Sequence, residues 1–161
     1  PGTDPGQFNI VHNIATDADG WVYVADRENH RVQVFDGNGK YETQWNNLHR
    51  PCALCRCGGK QANFIIGELG PGLAVNRKVP NLGPRLSIVD AKGNRIARLG
   101  GENGPGVEAG KFLAPHGIAM DSRGDIYLGE VGVTDWKTSF PDTPMPPEVA
   151  VSRCLQKLEK I

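Results

Sequence analysis

The sequence predicts an all-β chain made of repeated four-stranded antiparallel sheets, and three observations carry that prediction. The first is composition: 161 residues hold 21 glycines and 12 prolines, which suits short strands joined by tight turns and leaves little room for long helices. The second is a repeat. Phe8-x3-His12-Asn13-Ile14-Ala15-Thr16-Asp17 returns as Phe112-x3-His116-Gly117-Ile118-Ala119-Met120-Asp121, and the register holds without a gap through Gly20 and Gly124, Tyr23 and Tyr127, and Asp26 and Glu130. The third is the period inside the repeat, which alternates apolar and polar residues as a strand does.

The first unit, residues 1–48, reads as a meander of His12–Thr16, Trp21–Ala25, Arg31–Phe35 and Tyr41–Trp45. Asp19-Gly20 and Asp36-Gly37-Asn38-Gly39 mark its hairpins, because Gly and Asn accept the positive φ of tight turns between twisted strands. The second unit, 49–100, is a degenerate copy. Its Pro51-Cys52-Ala53-Leu54 and Phe64-Ile65-Ile66-Gly67-Glu68 align with Pro115-His116-Gly117-Ile118 and Tyr127-Leu128-Gly129-Glu130, Gly70 to Gly83 is an insertion, and the last strand ends at Leu99. The third unit, 101–161, offers His116–Met120, Asp125–Gly129, an irregular proline-rich connection over Phe140–Pro147 and a strand near Cys154–Leu158, so it lacks its outer strand. Units of about 52 residues with four strands each are β-propeller blades. Three blades form an arc with open sheet edges, and the expectation is self-association or pairing with a missing half-propeller.

Lys plus Arg (18) balances Asp plus Glu (18), which gives no basic field for a phosphate backbone and argues against nucleic acid. No apolar stretch approaches the roughly 18 to 20 residues of a membrane span, and Pro1-Gly2-Thr3-Asp4-Pro5 does not look like a signal peptide. The chain therefore reads as soluble, with its compartment open. Cys52, Cys55 and Cys57 are crowded and Cys154 is distant, which is not a disulfide framework. On a strand, Cys55 and Cys57 share one face and Cys52 takes the other, weak spacing for zinc.

At Tyr23-Val24-Ala25-Asp26-Arg27-Glu28-Asn29-His30-Arg31-Val32-Gln33-Val34-Phe35 the chain closely resembles NHL repeats. The pairing of Pro5-Gly6-Gln7-Phe8-x3-His12 with Ala25-Asp26-Arg27-Glu28-Asn29 resembles, more narrowly, the C-terminal half of peptidylamidoglycolate lyase. That resemblance implies a six-bladed propeller with zinc held near its axis by three histidines. It also implies cleavage of peptidyl-α-hydroxyglycine to a peptide amide and glyoxylate. Carried over by position, His12 and His116 match two metal ligands and Arg27 an active-site arginine. A family methionine two residues before the last histidine is Ala114 here.

Innermost propeller strands line the central channel, so equivalent positions in successive blades converge on the axis. Neutral imidazoles suit Zn²⁺, and three ligands with one open position is the catalytic arrangement. The alternative is that His12 and His116 hydrogen-bond a neighbouring blade's backbone. Arg27 either holds a substrate carboxylate or forms a local ion-pair set with Asp26 and Glu28. Cys52 falls in the histidine slot of the middle blade, as a soft ligand or a buried small thiol. Asp17, Asp121, Asp26 and Glu130 recur for turn geometry and packing, His30 and His49 fall in solvated loops, and Trp21, Trp45 and Trp136 pack blades. Two loops, Gly70–Gly83 and Val131–Pro147, follow the second strand of their blades and emerge on one side of the ring.

Three functions compete. One is a zinc-dependent lyase acting on a small peptide-derived substrate. Another is a non-catalytic scaffold that binds a peptide or protein. The third and weakest borrows calcium and axial carboxylates from propeller lactonases.

Overall fold

The computed structural model describes every residue except 59–61, 103, 152, 153 and 161. Blade one is a sheet of β1 (Val11–Thr16), β2 (Val22–Asp26), β3 (Arg31–Phe35) and β4 (Tyr41–Trp45), hydrogen-bonded in that order. Blade two repeats the plan with β5 (Pro51–Cys57), β6 (Asn63–Glu68), β7 (Arg85–Val89) and β8 (Arg95–Leu99). Blade three has three strands, β9 (Pro115–Met120), β10 (Ile126–Glu130) and β11 (Leu155–Leu158), with β10 central. All pairings are antiparallel. This is an arc of NHL-type β-propeller blades.

Period-two patterning builds the contacts between blades. On β6, Phe64 and Ile66 face blade one and join Tyr23, Val32, Val34 and Trp45 in one core. Ile65 points the other way, into a second core with Leu86, Phe112, Ile126 and Leu128. Burying one such aliphatic or aromatic side chain contributes about 1.5–3 kcal/mol, so the two cores dominate the cohesion of the arc. Trp45 and Trp136 are buried as expected, whereas Trp21 is 37% exposed. On the outer side of β1, Ile14 is 61% exposed, with Ile10 and Val11 exposed beside it.

The loop expected over Val131–Pro147 is part helix: α1 (Gly132–Ser139) precedes the irregular proline-rich connection and α2 (Pro147–Val151) follows it. Between Gly132 and Pro141 the sequence has no breaker, and Trp136 and Phe140, one turn apart, lie with ring centroids at 4.4 Å. They pack with Leu113, Val149 and Met145. Proline at the first position of α2 loses no helical hydrogen bond. Trp136 Nε1–H donates to the Thr143 carbonyl at 2.9 Å, tying the connection to α1.

Among the described residues, no helix is long and apolar enough to cross a membrane.

Candidate metal centre at the channel mouth

Each blade's second strand ends in an acid: Asp26, Glu68 and Glu130, all buried. A buried carboxylate needs donors, and each acid finds one in a backbone N–H three residues ahead of the channel position. Asp26 accepts from Asn9 N at 2.8 Å, Glu68 from His49 N at 2.6 Å, and Glu130 from Leu113 N at 2.6 Å. A second tie repeats beside it, where Arg27, Leu69 and Val131 N–H donate to the carbonyls of Ile10, Arg50 and Ala114. These latches fix where β1, β5 and β9 begin, and thereby place His12, Cys52 and His116 at one level of the channel.

The ligand atoms of His12, Cys52 and His116 lie within 4.8 Å of one another. The two histidine rings meet edge to face with centroids at 4.5 Å. His12 Nδ1 lies 3.0 Å from the Cys52 carbonyl oxygen. A carbonyl only accepts, so this contact puts the proton on Nδ1 and leaves the lone pair on Nε2. Cys52 Sγ lies against the ring, 3.0 Å from Nδ1 and 3.1 Å from Nε2. Burial lowers the His12 pKa, an effect the Cys52 carbonyl opposes and His116, Arg27 and Arg50 reinforce. Burial pushes the Cys52 thiol up to about 12. Cys52 is thus both fully buried and in the channel cluster.

Arg27 lies beside the cluster, where its charge and a side-chain hydrogen bond act on Cys52 against the effect of burial. Its Nε donates to Glu28 Oε1 at 2.7 Å, and Arg50 Nε donates to the same oxygen at 3.1 Å. Burial alone would raise the Glu28 pKa, but Arg50 and Arg27 outweigh it and hold the carboxyl low. In the other blades the slot after the acid is Leu69 and Val131, which pack with Cys52 and Ala114 into an apolar wall. Asp135 of α1 completes the surroundings: burial raises its pKa against the pull of Arg50, His116 and Arg27. Sequence reasoning missed Arg50, although it occupies the slot of Ile10 and Ala114 in the repeat. Asp135 carried no signal, because its helix was not foreseen.

His30 and His49 were expected to be solvated. His30 is exposed, but His49 is half-buried and stacked on it with centroids at 4.6 Å. The bond from His49 N to Glu68 draws it inward.

Residues 8–35 match the model of the NHL repeat. This segment is an NHL repeat. Beyond it, the chain is 51% identical over 143 residues to NHL repeat-containing protein 3 of Homo sapiens, covering 87% of this chain and 38% of the relative. The Mus musculus protein of the same name is 51% identical over 145 residues, again with 87% and 38% covered. Protein brain tumor of Drosophila melanogaster is 24% identical over 132 residues, 82% of this chain and 12% of that protein. The chain therefore spans well under half the length of these relatives. Among solved structures, a protein of unknown function from Bacteroides caccae superposes with a TM-score of 0.60 at 12% identity, over 92% of this chain and 46% of that one. That likeness concerns the fold.

Proposed function

We propose that this NHL-repeat arc is a non-catalytic scaffold that binds a peptide or protein on the face where the latches and the channel cluster lie. The observation that carries this reading is the insertion between β6 and β7. Leu73, Val75 and Val79 on it are 64%, 79% and 46% exposed. Val133 of α1, 44% exposed, follows the equivalent strand of the next blade and so rises from the same side. Apolar side chains held out on a rigid ring suit partner recognition. The 51% identity to proteins named only for their NHL repeats supports the same view.

Selection from a random peptide display library tests it. Enriched peptides should bind the native chain and lose about tenfold in affinity when Leu73, Val75 and Val79 are all replaced by serine. Indifference to the triple substitution, or no enrichment over an unrelated propeller, would sink the proposal. The exposed Val11 and Ile14 of β1, with Ile10 just before it, support a second expectation, that this edge pairs with a further set of blades or a second copy. A stable monomer at the mass of one chain, by light scattering, would count against self-association.

A second reading rests on the channel cluster. His12, His116 and Cys52 form a donor set of two imidazoles and one thiol that suits zinc and not calcium, which prefers oxygen. The Nδ1–H bond of His12 to a carbonyl is the support a metal-bound imidazole uses. When bound, zinc would supply Lewis acidity toward a substrate oxygen. Arg27 would hold a substrate carboxylate, and Glu28 and Arg50 would orient it for lyase chemistry on a peptidyl-α-hydroxyglycine. Elemental analysis of the untagged chain decides this: zinc lost in His12→Ala and His116→Ala supports the centre. A chain that stays metal-free when zinc is supplied removes it.

A further inference from the structure

The outer end of the contact between blades two and three holds a basic cavity that neither reading uses. Its volume is about 760 Å³, and Arg85, Arg95, Arg98 and Lys111 line it together with Glu102. Leu99, Phe112 and Leu158 supply apolar wall, and all three belong to the core between these blades. A cavity of that size suits a small organic molecule, whose orientation is fixed by a few charged groups over an apolar wall. Local structure gathers the arginines. β7 and β8 pair Ser87 with Arg98, Ile88 with Ala97 and Val89 with Arg95, so Ile96 is a bulge. Opposed residues point to one side of a sheet, and alternate residues of a strand share a face. The bulge therefore turns Arg95 onto the face that carries Arg98, and Arg85 opens β7 on that same face.

Negative charge on this face is short. In blade one, Arg31 pairs with buried Asp26 and gives its other donors to the strap carbonyls of Thr3, Asp4 and Gln7 and to Gln44. Arg85 is its counterpart, paired with Glu68 at 2.7 Å, but the connection ahead of blade two is only residues 46–50. Arg85 donates otherwise to the Asn81 carbonyl, and its buried Nε finds no partner among the described residues. Glu68 also serves Arg98 through Ser87, whose hydroxyl donates to Glu68 and accepts from Arg98 Nε at 3.2 Å. Arg95 makes no ion pair among the described residues. Burial first, then Arg85, lower the Arg98 pKa, with Glu68 opposing and Arg95 reinforcing them. Elsewhere on the wall Lys111 is already paired with Glu108 and Glu102 is exposed, so the place for an anion is beside the arginines.

We propose that this cavity binds a small phosphate monoester with an apolar body, its phosphate against Arg95 and Arg98 and its body against Leu99, Phe112 and Leu158. Guanidinium forks match phosphate oxygens. Arg98 engages Ser87 and Asn47 through Nε and Nη2, which leaves Nη1 for the ligand, and Arg95 brings a whole fork. Three arginines that lean on the single carboxylate of Glu68 call for a dianion with three terminal oxygens rather than for the single charge of a carboxylate.

Isothermal titration calorimetry of the intact chain with phenyl phosphate at low salt tests this, and should give one saturable site. Inorganic phosphate, which lacks the apolar body, should bind about tenfold more weakly, and phenol should not bind. Arg95→Gln and Arg98→Gln should each weaken phenyl phosphate about tenfold. Arg123→Gln, which removes a cation from a separate cavity shared with Arg56 and Lys160, should leave its affinity unchanged. Arg95 is exposed, so its replacement keeps the fold, which circular dichroism checks for each variant. No saturable binding, an affinity unmoved by Arg95→Gln, or an equal loss in Arg123→Gln would overturn the proposal. Phenol or inorganic phosphate bound as tightly as phenyl phosphate would overturn it as well.

Discussion

Blades one and three are two copies of one unit with one difference in the latch, and the difference shows what holds each in place. In blade one, Asp26 is fully buried and receives Asn9 N, Asn29 Nδ2, Arg31 Nε and Gln33 Nε2. Arg31 then reaches outward to the carbonyls of Thr3, Asp4 and Gln7. In blade three, Glu130 receives Leu113 N and Ala114 N and, in place of an arginine, the side-chain amide of Gln156. That amide also touches the Lys111 carbonyl, the counterpart of Gln7. The geometry of the strap is shared: Gly2 N donates to Phe8 O as Gly106 N does to Phe112 O. One copy is closed by a buried ion pair and the other by a neutral amide. A buried ion pair gains little over an apolar contact but is costly to halve.

The largest expected effect follows from that asymmetry. Arg31→Ala strips the cation from a carboxylate with no exposed surface and removes a donor from three strap carbonyls, of which Asp4 and Gln7 keep a second one, and it should cost about 3–5 kcal/mol in chemical denaturation. Gln156→Ala removes a neutral donor from the same place in blade three and should cost about 1–2 kcal/mol. Equal losses would show that charge is irrelevant to the latch and that the comparison rests on hydrogen-bond number alone.

A smaller effect separates the blades at the residue just before each acid, where blade two has Gly67 and blade three Gly129. A Cβ on Gly67 would come within 3.0 Å of Ala53 Cβ and 3.1 Å of Pro115 Cβ, where the inner strands of blades two and three meet. On Gly129 the nearest atom would be Gly117 O at 3.7 Å. Gly67→Ala should therefore destabilise by about 1–3 kcal/mol. Gly129→Ala should be neutral or stabilise by about 0.5 kcal/mol, since it restricts the unfolded chain. Thermal unfolding of the two variants side by side checks this, and a tolerated Gly67→Ala would mean that the blades can slide.

The blades were legible in the sequence because the repeat and the period-two pattern are local properties. The strands Arg31–Phe35 and Tyr41–Trp45 fall where alternation puts them, and Gly-rich turns mark their hairpins. The convergence of His12 and His116 was legible too, since a repeat carries equivalent residues to equivalent places. Legibility failed where packing overrides pattern. The short stretch ahead of the prolines did not announce α1, whose stability comes from Trp136 and Phe140 folding onto Leu113 and Val149. The pairing of Arg27 and Arg50 on one glutamate likewise joins residues of two blades, a relation that exists only once the arc is built.

His49 gives the most subtle test of the latches, because it is the titratable member of the set Asn9, His49 and Leu113. Burial first, then the neighbouring His30, take its pKa from 6.5 to about 4. Arg50 and Arg85 act in the same direction and Glu68 opposes them. Its Nε2 is buried and finds no hydrogen-bond partner among the described residues, so the neutral ring is what the site accommodates. The folded chain binds this proton less tightly than the unfolded chain. The stabilising contribution is therefore complete above pH about 6.5 and is lost as the pH falls through that value toward 4. With allowance for solvent screening at this half-buried position, the loss should be about 1–2 kcal/mol. Carboxylates lose stability over part of the same range, so the difference between the native chain and His49→Gln isolates the histidine. The two stability curves should converge as pH drops from 7 to 4. Parallel curves would mean that the proton is accommodated after all, and that blade two is latched by the His49 backbone alone, as blades one and three are by Asn9 and Leu113.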